Sequence, residues 1–301
     1  MSARPVIAGI GEVLWDVYPD AAHFGGAPAN FACHASSLGA EAWMVSAVGA
    51  DELGDRARAA LRAHGVECGR VSRDARHATG RVLVTLNAAS QASYEFAADT
   101  AWDHLAWSDD IAALAARCDA VCFGTLGQRS PVSRETIRRF VEATPRAALR
   151  VFDVNLRQRF YDAQTLQTSL QMASALKLND EELPIVAELC GVHATTPREM
   201  LIELMSRYDL RLAALTRGPH GSLLVSTNDE DECPAPATTV VDTVGAGDAF
   251  TATLVSGFLR GLPLAEINRH ANAVASFVCS QKGATPPLPE HLRNPENHLT
   301  P

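Results

Sequence analysis

Short apolar segments alternate with amphipathic segments along most of the chain. Runs typical of buried parallel strands are Pro5–Ile10, Trp43–Val48, Ala120–Phe123, Leu149–Asp153, Ala175–Leu178 and Leu212–Thr216. Segments with helical periodicity lie between them, at Ala29–Leu38, Asp51–His64 and near 133–143, 164–174 and 197–207. This alternation predicts an α/β fold with a doubly wound, mostly parallel central sheet flanked by helices.

Two segments, at about 12–24 and 80–98, break this alternation. Arg81–Asn87 and Ala92–Phe96 have the pattern of two hairpin strands joined around Ala88–Gln91. We expect these segments to form a small β-sheet lid rather than core, inserted in a single domain of residues 1–301.

Two further segments are polar and rich in turn residues. Ser226–Pro236 is acidic and predicts a surface loop or hairpin. Pro287–Pro301 predicts a weakly ordered tail.

Composition limits the classes of partner. The net charge of −9 argues against a nucleic-acid partner, because such proteins cluster Lys and Arg to neutralise phosphates. No run of 18 apolar residues occurs, and Met1–Ile10 lacks a leader pattern, so we expect a cytoplasmic protein without a membrane partner. Seven scattered cysteines favour reduced thiols, and neither they nor the ten dispersed histidines show the spacing of a zinc site.

The segment Asp242–Phe250 carries the strongest chemical signal. Its Gly-Ala-Gly core lets the backbone approach a ligand, and a helix that starts there directs free N–H groups at an anion. Asp248 would weaken a site built only to hold phosphate, yet it can take a proton from a hydroxyl that attacks a phosphate. The alternative is an ordinary tight turn with a first-turn carboxylate that the helix dipole favours.

This nine-residue segment resembles the C-terminal signature of the ribokinase-like (PfkB) carbohydrate kinases. The resemblance implies that Asp248 is the catalytic base, and that the N–H groups of Gly245, Ala246, Gly247 and Asp248 form an anion hole. A second match is Gly25-Gly26-Ala27-Pro28-Ala29-Asn30, which resembles the family's N-terminal GG-x-x-x-N segment. By that resemblance Gly25 and Gly26 form a hinge and Asn30 contacts sugar hydroxyls, although two permissive glycines in a turn would look the same.

Other motifs resemble the family's sugar-binding segments. Asp16 matches an acidic residue that holds a sugar diol, and a carboxylate can accept two hydroxyl hydrogen bonds at once. The resemblance also assigns Phe96 and Asp153-Val154-Asn155-Leu156-Arg157 to the substrate site, where Arg157 would stabilise the transferring phosphoryl group or orient the sugar. Asp153, Asn155 and Arg157 would point the same way only if the segment stays extended, and an Asp–Arg surface pair is the alternative.

The resemblance places the nucleotide and the metal ions on later segments. Thr216, Gly218, Gly221, Asn179 and Asn272 match nucleotide-binding positions. Asn179 and Glu182 also have capping-box spacing, and the family places this glutamate near magnesium through water. Asp242 and Gly283 match a loop that surrounds a monovalent cation in many members.

Several motifs of other nucleotide enzymes are absent from the sequence. It lacks the P-loop, the HRD and DFG motifs, and the third glycine of a dinucleotide fingerprint after Gly9 and Gly11. The resemblance covers Gly11 to about Pro289 and implies a kinase that uses ATP with Mg²⁺, and K⁺ as a candidate ion. Fructose is the first expected acceptor; 2-keto-3-deoxygluconate, ribose, a nucleoside, or a non-catalytic sugar-binding role are the alternatives. A homodimer through the lid is a further candidate.

Overall fold

The computed structural model describes residues 4–86 and 92–293. Its strands are β1 (Val6–Ile10), β2 (Leu14–Val17), β3 (Ala22–Gly25), β4 (Glu41–Gly49), β5 (Glu67–Asp74), β6 (Gly80–Leu86), β7 (Ala92–Phe96), β8 (Ala120–Phe123), β9 (Leu149–Asp153), β10 (Ala175–Asn179), β11 (Leu212–Thr216), β12 (Ser222–Ser226) and β13 (Glu230–Cys233). Its α-helices are α1 (Ala27–Ser37), α2 (Glu52–Ala63), α3 (Asp109–Ala115), α4 (Pro131–Ala143), α5 (Ala163–Met172), α6 (Glu182–Leu189), α7 (Pro197–Tyr208), α8 (Ala246–Leu259), α9 (Leu264–Cys279) and α10 (Glu290–Arg293).

The central sheet has nine strands in the order β13-β12-β11-β10-β9-β8-β1-β4-β5. The seven strands from β11 to β5 are parallel, and β12 and β13 add an antiparallel hairpin at one edge. The chain runs outward from β1 to β5, returns to β8 beside β1, and then runs outward the other way. Ligands bind in open α/β sheets at such a reversal, beyond the carboxyl ends of the strands.

Both faces of the central sheet are buried, which explains why its strands appear in the sequence as continuous apolar runs. One face carries a core that includes Phe31 of α1 and Phe250 of α8. The other face carries a core that includes Phe140 of α4 and Leu166 of α5. The predicted α/β fold with a mostly parallel sheet between helices is confirmed.

The smaller sheet has four strands in the order β3-β2-β6-β7, with β2 and β6 parallel. Val82 and Val84 are buried on one face, whereas Leu83 between them is 45% exposed on the other. The predicted hairpin strands are therefore present, and the predicted turn at Ala88–Gln91 lies outside the described residues. The role of this sheet as a lid stays a prediction.

The C-terminal segment differs from its prediction over residues 287–293. Leu288 and Leu292 are 1% and 4% exposed and join the core beside α9. Leu288 lies just before α10 and Leu292 lies within it, and the burial of both leucines stabilises this short helix against the core. The expectation of a weakly ordered tail is therefore wrong for this part, and residues 294–301 are outside the described range.

The polar segment after β12 forms the antiparallel hairpin of β12 and β13, in line with one of the two predicted forms. Within the described residues, no helix is both long and apolar enough to cross a membrane.

Candidate active site

A cavity of about 1040 Å³ opens at the carboxyl ends of the parallel strands. The central sheet, the small sheet and helices α8 and α9 all contribute to its walls. It is lined by many of the residues predicted from sequence: Asp16, Gly26, Asn30, Phe96, Asn155, Arg157, Asn179, Thr216, Gly218, Gly221, Gly245, Ala246, Gly247, Asp248 and Asn272. The structure thus brings together residues that are far apart in the sequence.

The N-terminus of α8 forms one wall of the cavity. Gly245 caps the helix with a φ of 80°, and a Cβ there would lie 2.3 Å from the carbonyl oxygen of Ala284. A Cβ at Gly247 would lie 2.9 Å from Nζ of Lys177. Gly245 is therefore required for close packing, whereas a side chain at Gly247 would displace the end of Lys177. The first-turn N–H groups of Gly247 and Asp248 are left to bind an anion in the cavity.

Asp248 lies in this first turn, and its carboxylate is held by a hydrogen bond. Nδ2 of Asn30 donates to Oδ2 of Asp248 over 2.8 Å. Burial, together with the charge of Asp153, raises the pKa of Asp248 to about 6, although Asn30, Lys177 and Arg157 act in the opposite direction. The carboxylate is thus ionised at neutral pH and more basic than an exposed aspartate, which suits a general base.

Asn30 lies in α1, whose start depends on Gly26. A Cβ at Gly26 would lie 2.5 Å from the carbonyl oxygen of Glu12, and its φ of 108° favours glycine. Asn30 is 4% exposed, and its Oδ1 has no hydrogen-bond partner among the described residues. This oxygen can accept a hydrogen bond from a ligand. Gly25 does not line the cavity; it lies beneath Asp16, whose Oδ2 would be 3.3 Å from a Cβ there.

The small sheet supplies the opposite wall. Asp16 pairs with Val82, and Val82 pairs with Phe96, so the three side chains share one face of the sheet. Burial raises the pKa of Asp16, an effect that the positive charge of Arg157 partly offsets. A carboxylate therefore stands beside an apolar surface, an arrangement that can bind the hydroxyls and the carbon face of a polyol.

The segment after β9 turns instead of staying extended. Asn155 has a φ of 42°, so the alternation of side chains along β9 does not continue beyond this residue. The condition under which Asp153, Asn155 and Arg157 would point the same way is therefore not met. Asn155 and Arg157 line the cavity. Asp153 lies behind its wall, where it pairs with Nζ of Lys177 at 3.1 Å and accepts a hydrogen bond from Oγ1 of Thr251 at 2.8 Å. Asp153 therefore influences the site by its charge and by its pairing with Lys177.

Lys177 lines the cavity, although it is not among the site residues predicted from the sequence. Burial tends to lower its pKa, but the negative charges of Asp153, Glu182 and Asp248 outweigh burial and leave the pKa raised. The signal in the sequence was a lysine inside an apolar run that predicts a buried strand, because buried lysines are rare unless they are paired.

Glu12 was also missed as a site residue. It is 3% exposed and lines the cavity, and Oε2 of its carboxylate has no hydrogen-bond partner among the described residues. Burial raises the pKa of Glu12 to about 7, and Asp248 adds to this rise. The sequence pattern around Glu12 is the same whether a glutamate after the first strand is buried or exposed to solvent, so it did not indicate a site residue.

The far end of the cavity holds the residues predicted to bind a nucleotide. Thr216 ends β11, and Gly218 and Gly221 follow it. Asn272 extends from α9, where its Nδ2 donates to Oγ of Ser222 over 2.7 Å. This hydrogen bond ties α9 to β12 and fixes the position of the wall.

The predicted capping box between Asn179 and Glu182 is present. The Glu182 N–H donates to Oδ1 of Asn179 over 2.8 Å, and the Asn179 N–H donates to Oε2 of Glu182 over 2.9 Å. Oε1 of Glu182 accepts from the Leu156 N–H over 2.8 Å. Glu182 does not line the cavity, whereas the exposed residues Asp180 and Glu181 do.

Asp242 and Gly283 meet behind the start of α8. Oδ2 of Asp242 accepts from the Gly283 N–H over 3.1 Å, and its Oδ1 accepts from the Val244 N–H over 3.0 Å. Neither Asp242 nor Gly283 lines the cavity. Asp242 therefore fixes the loop that leads into the helix.

Comparison with known proteins gives consistent matches over nearly the whole chain. The model of the pfkB family carbohydrate kinases matches residues 20–291. The chain is 30% identical to the sugar kinase PH1459 of Pyrococcus horikoshii, over 97% of this chain and 96% of that one. It is 28% identical to fructokinase-1 of Zea mays, over 96% of each chain. It is also 28% identical to aminoimidazole riboside kinase of Salmonella typhimurium, over 96% of this chain and 93% of that one.

The solved structures agree with the sequence matches. The structure of PH1459, called an uncharacterized sugar kinase, superimposes with a TM-score of 0.83 at 29% identity, over 97% of this chain and 98% of that one. A second structure of the same protein, in complex with ATP, superimposes with a TM-score of 0.80 over 93% and 94% of the two chains.

Proposed function

The chain belongs to the pfkB family of carbohydrate kinases, and we propose that it transfers the γ-phosphoryl group of ATP to a primary hydroxyl of a sugar. The observation that carries this proposal is the position of Asp248. Its basic carboxylate lies in the first turn of α8, beside N–H groups that can hold a phosphate, in a cavity whose other wall carries Asp16. The proposed base, anion site and polyol site thus face one cavity.

In the proposed reaction, Asp248 takes the proton of the acceptor hydroxyl while the hydroxyl oxygen attacks the γ-phosphorus of ATP. The bond between the γ-phosphorus and the oxygen that bridges it to the β-phosphate breaks, and ADP leaves with that oxygen. The N–H groups of Gly247 and Asp248 stabilise the negative charge on the transferring group, and the Arg157 guanidinium at the cavity edge adds positive charge there. Asn30 holds the base in position through its hydrogen bond to Oδ2.

The proposal assigns substrates to opposite ends of the cavity. Asp16, Asn30 and Phe96 would contact the sugar, with Asn155 beside it, whereas Asp153 would act indirectly through Lys177. The adenine and phosphates would lie along Asn179, Thr216, Gly218, Gly221, Asn272 and the start of α8. Closure of the small sheet about Gly25 and Gly26 would exclude water, which otherwise competes as the acceptor.

The residues near Glu182 fit a magnesium ion. Asp180 and Glu181 are exposed acidic residues that line the cavity, and Mg²⁺ favours one or two carboxylates with retained waters. Both oxygens of Glu182 accept backbone N–H bonds, so this glutamate would act through its remaining lone pairs and a water. When bound, the ion neutralises charge on the phosphates of ATP. We expect chelation to abolish turnover, Mg²⁺ to restore it, and Asp180→Asn to raise the Mg²⁺ concentration required.

Fructose is the first proposed acceptor, and the relatives named fructokinase support it. The similar identity to a riboside kinase keeps ribosides as the second candidate, with 2-keto-3-deoxygluconate and ribose as further ones. The test is ADP release with each acceptor at matched concentration. Turnover with fructose at the highest kcat/KM supports the first choice, and turnover with a riboside alone replaces it. Absence of turnover with every acceptor, despite ATP binding, would favour a non-catalytic sugar-binding protein.

Two finer proposals accompany this function. Backbone carbonyls of the loops closed by Asp242 and Gly283 would bind K⁺, and this predicts higher activity in potassium than in tetramethylammonium salts. A homodimer through the small sheet is also proposed, with Leu83, which is 45% exposed on the outer face, at the contact. A dimeric mass in light scattering that Leu83→Lys makes monomeric would support it, and a monomeric wild-type protein would rule it out.

A further inference from the structure

A cluster of two histidines and an aspartate lies at the base of the small sheet, apart from the residues that line the cavity. His77 precedes β6 by three residues, Asp99 follows β7 by three, and His104 ends the next turn. One ligand atom from each of the three side chains lies within 4.8 Å of the other two. The three residues occupy positions before and after the hairpin of β6 and β7, so the sequence shows no metal-binding spacing.

The hydrogen bonds around His77 determine which nitrogen can bind an ion. Nδ1 of His77 lies 2.9 Å from Oδ2 of Asp74, whose side chain is 13% exposed. A carboxylate at Nδ1 places the proton there, so the neutral ring carries its lone pair on Nε2. That nitrogen lies 3.9 Å from Oδ1 of Asp99. Two electron-pair donors therefore face each other, an arrangement that a cation between them would stabilise.

The distances suit a small divalent ion. Ligand atoms at about 2.1 Å from a tetrahedral metal are about 3.4 Å apart. Oδ1 of Asp99 lies 3.9 Å from Nε2 of His77, close to that value, whereas its 2.7 Å contact with Nε2 of His104 is a hydrogen bond whose proton a bound ion would replace. The two rings stack with centroids 3.6 Å apart, so they must rotate apart to point at one ion. The Asp99 and His104 side chains are 74% and 30% exposed, which leaves room for this rotation.

We propose that His77, Asp99 and His104 form a site for a divalent ion of the zinc type, with water as the fourth ligand and Asp74 as the carboxylate that orients His77. Imidazole and carboxylate ligands of this number suit Zn²⁺. The site is distinct from the proposed magnesium site beside Glu182, which has only oxygen ligands.

The ion would join the two ends of the hairpin formed by β6 and β7. The Ala101 N–H already donates to the Ala78 carbonyl oxygen over 2.8 Å, so the two ends are paired before any ion binds. Val82 and Phe96, on the same hairpin, line the cavity. A bound ion would therefore restrain the base of the wall that faces the sugar end.

The experiment titrates the full-length wild-type protein with Zn²⁺ and with Co²⁺ alone, in the absence of ATP and sugar. We expect this cluster to bind one ion per chain, with the visible absorption of four-coordinate Co²⁺, and Zn²⁺ to raise Tm. Asp99→Asn should remove that ion and the Tm shift. Asparagine is chosen because it tolerates the φ of 53° at this position. Asp74→Asn should weaken binding about 10- to 100-fold.

The control is His193→Gln, a change at an exposed histidine in the connection between α6 and α7, which should bind Zn²⁺ like the wild type. Partly exposed Cys233 and Cys279 can bind zinc independently, so the measured quantity is the one ion lost in Asp99→Asn relative to the wild type. Equal stoichiometry and affinity in the wild type and in Asp99→Asn, or no binding in either, would overturn the proposal. Because no substrate is present, either result leaves the proposed kinase function untouched.

Discussion

Replacing Asp153 by Asn would test how the site sets the basicity of Asp248. Asp153 does not line the cavity, but its charge is the main cause, after burial, of the raised pKa of Asp248. It also pairs with Lys177, and both side chains are less than 10% exposed. The substitution removes the negative charge and leaves the positive charge of Lys177 free to act on Asp248, so both effects lower the pKa of the base.

The magnitude follows from the size of the existing shift. The pKa of Asp248 is raised from 3.8 to about 6, and a shift of about two units corresponds to about 3 kcal/mol between the two protonation states. Burial is the largest cause and persists in the variant. The fall expected from the altered charges is therefore a part of the shift, on the order of one unit.

The assay is kcat/KM as a function of pH, which reports the essential base of the free enzyme. The base must be unprotonated, so wild-type activity should fall as the pH drops through about 6, the pKa of Asp248. In Asp153→Asn this acid limb should move to lower pH. Asp162→Asn is the matched control, because Asp162 caps α5 away from the cavity and Asn caps helices as well as Asp does.

Lys177→Gln provides a change of opposite sign. It removes a positive charge that lowers the pKa of Asp248, so the acid limb should move to higher pH. Both variants break the same buried pair, at a cost of about 3–5 kcal/mol, so their pH profiles are compared at a temperature at which each variant is folded. An acid limb that stays in place in both variants would refute the assignment of this limb to Asp248.

Two further substitutions test stability, each against a matched control. Gly26→Ala should lower the free energy of unfolding by about 1–3 kcal/mol, because the new Cβ would meet the Glu12 carbonyl oxygen and the φ of this residue is positive. The control Gly69→Ala should change the free energy of unfolding little, because its new Cβ would lie 3.7 Å from the nearest side-chain atom. Equal Tm values for the two variants would contradict this prediction. Arg129→Met should lower it by about 3–5 kcal/mol, because it breaks the buried pair with Asp103 at 2.6 Å. In the same denaturant titration the control Arg198→Met should unfold like the wild type, because it removes an exposed pair. Similar losses of unfolding free energy in the two variants would contradict the role of burial.

The central strands were predictable from sequence because both of their faces are buried. Ala120–Phe123, Leu149–Asp153 and Leu212–Thr216 have the predicted bounds. Edge strand β5 was not predicted, because only Cys68 and Val71 of its eight residues are buried and the apolar signal is weak. The C-terminal Leu288 was misjudged for a related reason, since its burial depends on contact with a distant part of the chain.

The candidate site was predictable where one short segment carries both the backbone and the chemistry. The glycines before Asp248 are such a case, because the turn and the helix start are local. Asn155 and Arg157 line the cavity and Asp153 does not, and the positive φ of Asn155 that ends the strand alternation is not specified by the sequence. The cluster of His77 and His104 was missed because only the pairing of the two hairpin ends brings these residues together.

The most direct test of the central claim compares Asp248→Asn with the wild type in ADP release and in ATP binding. If Asp248 is the base for phosphoryl transfer to a sugar, kcat should fall about 10²- to 10⁴-fold, while calorimetry finds ATP binding nearly unchanged. Near-normal turnover by Asp248→Asn would contradict the proposed mechanism.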